Sequence, residues 1–217
     1  MKISLDINGL PRTERSNARH AAILNMAVAI SASEGLEALT IGRLANCLNM
    51  SRSGIFSHFG SKEDLQLKVL DWAYQLFDNE VISPAYEKPP GMLQVKNFLE
   101  GLFRYHSENC FLTHVSGEFD SREGEVKQKI VDIHRRLLEH LKKMLRTAMN
   151  DGQINQIPDE ELEQLVLAVL SAFMGSQILY QLQVVSSVAA MRHNHLKYLF
   201  SALLTAKTPQ EVRNWLG

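Results

Sequence analysis

Residues 40–62, TIGRLANCLNMSRSGIFSHFGSK, constrain the fold most, because two short runs of helical periodicity are separated by a break only two residues long. Ile41, Leu44, Ala45 and Leu48 recur at helical intervals behind Thr40, whose hydroxyl can cap the first free amides of a helix. Asn49 and Met50 then make the break, Asn being one of the few residues that tolerate left-handed backbone angles. Ser51 is placed to cap a second helix with Ile55 and Phe59 as its inward face. Its outward face keeps Arg52, Ser53, Gly54, Phe56, Ser57 and His58, one cation among small and polar groups that can approach a base edge closely. Gly60 ends this helix, and Ser61 with Asp64 three residues on is a capping box for the next, which puts Lys62 at a helix N-terminus where it can share a phosphate with backbone amides. Two helices in this arrangement are how a chain aims one of them at the DNA major groove.

With these residues in place, the run from Ser16 to Leu70 resembles the DNA-binding domain of TetR-family transcriptional regulators. The resemblance is carried by Glu34-Gly35 at the end of a first helix, Thr40 opening the second, the buried pair Leu44 and Ala45, the recognition run SRSGIFSHF from Ser51 to Phe59, and Lys62 after the turn. It implies that Thr40, Phe56, His58 and Lys62 hold phosphates while Arg52, Ser53, Gly54 and Ser57 face bases, with Gly42 beside them; Arg43 and Ser51 complete the expected contact set. Two departures stand out. Phe56 replaces the family's usual Tyr and removes one phosphate hydrogen bond per half-site, and Ser31 stands where an aromatic is common, which predicts looser packing of the first helix.

Charge distribution agrees with a nucleic-acid-binding front end. The 217 residues carry a net charge of −1, but the first 62 hold seven Lys and Arg against four acids, net +3, and the remainder 16 against 20, net −4. A basic head steers one end of the molecule to phosphate. Two cysteines in a chain of this length argue against a disulfide scaffold and for a reducing, cytoplasmic setting. No leader pattern opens the chain, and the longest apolar run, Leu165 to Gly175, falls short of the roughly 20 residues of a membrane span, so no transmembrane helix is expected.

Beyond Ser61 the pattern is helical. Helices are expected at 61–81, 92–107, 123–150, 159–183 and 187–206, with Asn109 to Ser121 irregular. The fold class is therefore all-α: an N-terminal three-helix DNA-binding domain over 1–62, with a flexible arm over 1–15, followed by a larger helical dimerisation and ligand-binding domain over 63–217. In the resembling family the two helices before the C-terminus form a four-helix bundle with a second subunit, which implies an interface of Leu165, Val169, Ala172, Phe173, Gly175, Leu196, Leu199, Phe200 and Leu203. A two-fold dimer also multiplies the few base pairs that one short recognition helix can touch. Family analogy further implies an apolar effector pocket among Trp72, Phe77, Leu99, Phe103, His106, Cys110, Ile133, Leu137 and Phe173. The helix from Ser61 is the expected lever between effector and DNA.

His106, Cys110, His114 and Glu118 stand four apart, which on a continuous helix would align two imidazoles, a thiol and a carboxylate. A metal- or thiol-dependent enzyme using His106, Cys110 and His114, or a regulator with Cys110 as a redox switch, are the alternatives this spacing leaves. No phosphate-cradling glycine loop or nucleophile elbow appears, so catalysis, cofactor and metal are not expected. The expected partners are double-stranded operator DNA, a second copy of the chain, and a small apolar or amphipathic effector that releases a repressor from a palindromic operator; no membrane is among them.

Overall fold

The computed structural model describes residues 12–105, 111–185, 187 and 189–217. The described residues are all-α, with no strand and one isolated bridge between Ile154 and Leu204. They divide into two compact units, one running to Leu76 and including His114–Asp132, the other made of Phe77–Thr113 and Ile133–Gly217.

The first unit is built on α1 (Arg12–Glu34), α2 (Ile41–Leu48), α3 (Arg52–Phe59) and α4 (Lys62–Phe77). Residues 1–11 of the expected arm lie outside the described residues, and 12–15 already form the first turn of α1. Ile23, Ala27 and Ile30 of α1 meet Leu44, Ala45, Ile55, Phe59, Leu65 and Val69 in one core, each nearly or fully removed from water. Gly35 ends α1 at φ +93, a conformation L side chains avoid, and a Cβ there would fall 2.2 Å from Glu118 Oε1. Ser31 is fully buried and its hydroxyl finds no protein partner, so the position is tight where looser packing was expected.

The segment 109–121, expected to be irregular, contains a helix, α7 (Phe111–Phe119). Phe111, Val115 and Phe119 recur every four residues and are all buried, and that apolar stripe outweighs the poor helix propensity of Thr113, Ser116 and Gly117. The second half of α7 and the start of α8 (Glu125–Asn150) belong to the first unit.

In the second unit the chain continues past the expected stop at Ser83-Pro84. A π-turn over Asp78–Ile82 leads into α5 (Ser83–Tyr86): the Ser83 amide reaches back five residues to the Asp78 carbonyl, and the wider turn makes room for the Pro84 ring. Next come α6 (Met92–Tyr105), the rest of α8, α9 (Asp159–Gln181), α10 (Ala189–Phe200) and an unforeseen α11 (Gln210–Leu216). The last long helix stops at Phe200, short of the expected 206, in a 3-10 turn over Ser201–Leu203, where the Leu203 carbonyl accepts the Asn155 amide at 2.8 Å. Val95, Phe98, Leu99, Leu102, Leu141, Leu145, Val166, Val169, Phe173 and Phe200 fill this core.

By length and composition α9 is long and apolar enough to cross a membrane, which corrects the expectation that no stretch would be. Eight of its residues, Leu162 to Gln177 in order, are nevertheless buried within the unit, and its first turn carries Asp159, Glu160 and Glu161. Those features are what a core helix with a complemented N-terminal dipole shows.

Candidate nucleic-acid interface

The geometry of the front end follows from four backbone details. Thr40 stands in extended conformation before α2, and its hydroxyl accepts the Arg43 amide at 3.0 Å. Asn49 takes the left-handed conformation, φ 54, that lets the chain turn within two residues. Ser51 Oγ accepts the Gly54 amide at 3.0 Å and starts α3; Gly60, φ 72, ends it. A Cβ on Gly54 would stand 3.0 Å from Ser51 Oγ and crowd that cap, so the glycine keeps the helix start compact.

Ile55 and Phe59 are buried, and this one fact fixes which way α3 faces. Arg52, Ser53, Phe56 and Ser57 are exposed, His58 and Gly54 half-exposed, and Phe56 shows 54% of its surface. Arg52 lies across the start of α2: its guanidinium atoms sit 3.5–3.6 Å from where a Cβ on Gly42 would be. Ser53 Oγ is 3.2 Å from Ser51 Oγ, and Ser57 Oγ donates to the Gly54 carbonyl at 2.8 Å. The rings of His20, His58 and Phe59 form a mutual cluster, with centroids 5.7 Å apart for His20–His58, 6.0 Å for His20–Phe59 and 6.1 Å for His58–Phe59. Burial, then the neighbouring His58 and Lys68, hold the His20 imidazole below its usual range.

Two cations of the expected DNA-contact set are already engaged by acids. Arg43 forks onto Glu34, Nε to Oε2 at 3.0 Å and Nη2 to Oε1, while its Nη1 lies 2.8 Å from Cys47 Sγ, leaving Cys47 half-buried rather than wholly in the core. Lys62 Nζ donates to Glu37 Oε1, and Arg122 Nη1 donates to Glu37 Oε2 at 2.6 Å. These contacts, Lys62 first, hold the Glu37 carboxyl below its ordinary range; the Arg43 hydrogen bond does the same for Glu34. Glu118 Oε2 accepts the Leu36 amide at 2.6 Å and its Oε1 the Glu37 amide at 3.4 Å, so a carboxylate from α7 fixes the loop that carries Glu37. No sequence pattern marks Glu37 or Arg122, and the spacing that singles out Glu118 points to His114 rather than to this loop, because the partners are 25 to 85 residues away and follow no helical spacing.

The expected pocket residues divide between the units. Leu137 and Phe173 line an apolar cavity of about 30 Å³ together with Leu102, Leu112, Leu170 and Met174, with Thr113 and His134 as its polar edge. Phe103 stacks on Phe173 at 5.9 Å; Leu99 and Ile133 are buried nearby in the core, and Phe77 meets Tyr105 edge-on. Trp72 belongs to the first unit, where its indole N–H donates to Asn25 Oδ1 at 2.7 Å. His106 and Cys110 lie outside the described residues. His114 Nδ1 is 3.3 Å from the Ala32 carbonyl, and no group of three or more His, Cys, Asp or Glu able to hold a metal occurs among the described residues.

Of the expected interface set, Leu165, Val169, Phe173, Leu196 and Phe200 are buried within the protomer, while Ala172, Gly175, Leu199 and Leu203 are half-exposed. The exposed apolar side chains of this region are others: Leu167, Ile178, Leu179, Tyr180, Leu182, Val184 and Tyr198.

Residues 23–69 match the family described as bacterial regulatory proteins, tetR family, and residues 93–196 match the tetracyclin repressor-like C-terminal domain. No curated protein matches the chain. The crystal structure of a TetR transcriptional regulator from Legionella pneumophila is 20% identical, covers 90% of this chain and 99% of its own, and superimposes with a TM-score of 0.70. A TetR-family transcriptional regulator from Streptomyces coelicolor is 17% identical over 93% of this chain and 97% of its own, with a TM-score of 0.69. AibR, solved in complex with isovaleryl coenzyme A and operator DNA, is 18% identical over 75% of this chain and 86% of its own, with a TM-score of 0.58. Matched in order by both of the family's domain profiles over more than half its length, the chain belongs to the TetR family of bacterial, DNA-binding transcriptional regulators.

Proposed function

We propose that this regulator acts in the cytoplasm as a homodimeric repressor, with residues 1–62 reading a palindromic operator and residues 63–217 dimerising and sensing a small molecule. The observation that carries the DNA-reading half is the orientation of α3: buried Ile55 and Phe59 behind, exposed Arg52, Ser53, Phe56 and Ser57 in front. Arg52 is the base reader, because a guanidinium offers the paired donors that match guanine, and Gly42 lets it lie close to α2. Lys62, His58 and Thr40 serve the phosphates, and Phe56 packs on sugar. The AibR complex shows that a chain of this fold accommodates both operator DNA and an acyl coenzyme A.

The effector reading rests on the apolar cavity around Leu137 and Phe173. At about 30 Å³ it has the volume of little more than a water molecule, whereas sites for small organic ligands run to hundreds of Å³. A small apolar or amphipathic effector therefore selects a state in which this core has opened, and it changes operator affinity only through its unequal affinity for the open and closed states.

Gel-shift titrations at several salt concentrations test the DNA assignments. Arg52→Ala is expected to relax base preference by about 1 to 3 kcal/mol, whereas Lys62→Ala weakens all duplexes alike and flattens the salt slope by about one unit. Equal losses for both variants on every duplex would overturn the division of roles.

A further inference from the structure

His114 and Glu118 stand one turn apart on α7, and within the first unit both side chains meet the end of α1. His114 Nδ1 lies 3.3 Å from the Ala32 carbonyl, which can only accept, so that nitrogen carries the proton and donates. Glu118 supplies the opposite polarity. Its Oε2 accepts the Leu36 amide and its Oε1 the Glu37 amide, and successive amides in a turn form a concavity that favours a carboxylate. The carboxylate stands where a Cβ on Gly35 would be, so the glycine admits it. From the other side, buried Gln66 of α4 donates to the Leu36 carbonyl at 3.0 Å. The loop is therefore held by its amides from α7 and by a carbonyl from α4.

Glu37 is what this loop presents. One of its oxygens accepts from Lys62 Nζ and the other from Arg122 Nη1, which lies in the turn just past α7. Lys62 and Glu37 are both half-exposed, and an ion pair so open to water holds little by itself, because two mobile side chains must be ordered to form it. Fixing the Glu37 backbone beforehand removes part of that cost. The segment 114–122 thus provides both the clamp on the loop and a second partner for its carboxylate.

We propose that Glu118 is a positioning residue for DNA binding: by clamping the end of α1 it keeps Glu37 on Lys62 and so restrains that cation from phosphate. The inference rests on Lys62 as a phosphate ligand and adds a control on that contact from a helix well beyond residue 62. Its signature is electrostatic. Each cation freed for phosphate adds about one unit to the slope of log affinity against log salt, a quantity that mere loosening of the fold does not raise.

Titration of a labelled duplex of unrelated sequence with the full chain, at several salt concentrations, tests the assignment. Glu118→Ala is expected to bind severalfold more tightly at low salt and to steepen the slope by about one unit, with circular dichroism confirming the fold. Glu118→Gln keeps one acceptor oxygen for the amides and falls between it and the wild type; this variant decides the matter if the alanine protein does not fold. Combining Glu118→Ala with Glu37→Gln is expected to give the slope of Glu37→Gln alone, because Glu118 acts through that carboxylate, whereas removal of a charge as such would add. A wild-type slope in both Glu118 variants, weaker binding with a flatter slope, or full additivity in the double variant would each overturn the proposal. Lys62→Ala in the same titration separates the two levels. A flattened slope there beside unchanged Glu118 variants overturns this inference alone, and an unchanged slope in all of them removes the phosphate role of Lys62 as well.

Discussion

At the scale of single residues, two positions show local chemistry working against stability or affinity. Ser31 buries a hydroxyl without a protein partner in the core of the first unit. Leaving such a group unsatisfied costs about 1–3 kcal/mol, and exchange for an apolar group of similar size removes that cost. Ser31→Ala is expected to raise unfolding stability by about 1 kcal/mol, read as an upward shift of the urea midpoint at constant slope; an unchanged or lower midpoint would show that the hydroxyl is satisfied in solution. Glu37 is the second position, since it holds both Lys62 and Arg122. Its carboxyl is kept below its ordinary value of 4.5, so the stability these pairs add is present above that value and is lost as pH falls through the lowered one. At neutral pH a phosphate must compete with Glu37 for Lys62. Glu37→Gln is accordingly expected to bind unrelated duplex more tightly at low salt, with log affinity falling more steeply against log salt by about one unit. A slope equal to that of the wild type would mean that the ion pair does not restrain Lys62.

At the scale of elements, sequence pattern was informative wherever a helix announced itself by caps. Thr40, Asn49, Ser51 and Gly60 set the limits of α2 and α3, and each acts in the structure as its chemistry dictates. The pattern misled where packing overrode local preference. Helix α7 contains Thr113, Ser116 and Gly117, residues that read as loop, yet Phe111, Val115 and Phe119 bury a common face. Pro84 read as a stop, and the chain instead absorbs it through a π-turn that no propensity scale encodes. The roles of the carboxylates that organise the front end, Glu37 and Glu118, are not legible in the sequence for another reason: their partners come from distant segments, so their meaning exists only after folding. Helix α7 also offers a clean test of the balance between propensity and packing. Gly117 is exposed and a Cβ added there would meet nothing within 4 Å. Gly117→Ala removes only the entropic penalty of glycine inside a helix, so it is expected to stabilise the chain by about 0.5–1 kcal/mol in thermal unfolding. A loss of stability would show that the helix needs glycine at that turn.

At the scale of the whole molecule, the distribution of apolar surface is more telling than its total. Leu167 and Ile178 on α9 and Leu182 just past its end expose 58%, 45% and 68% of their surface, and Tyr198 on α10 exposes 82%. Residues 167, 171, 175, 178 and 182 recur at helical intervals, with Ser171 and Gly175 supplying the small side chains that let a second helix come close. A Cβ on Gly175 would meet nothing within 4 Å among the described residues. An unpartnered apolar stripe on a helix whose opposite side is the protomer core is what one half of a two-fold helical interface presents. Leu165, Val169 and Phe173, expected at that interface, are buried within the protomer. Leu167→Glu with Ile178→Glu puts two charges into that contact without touching the core. The double variant is therefore expected to sediment as a monomer at concentrations where the wild type is a dimer. It should also lose operator affinity by orders of magnitude while keeping its helical content, because each half-site then binds without its twin. A double variant that stays dimeric, or a monomer that binds operator as tightly as the wild type, would separate α9 from dimerisation or dimerisation from DNA reading.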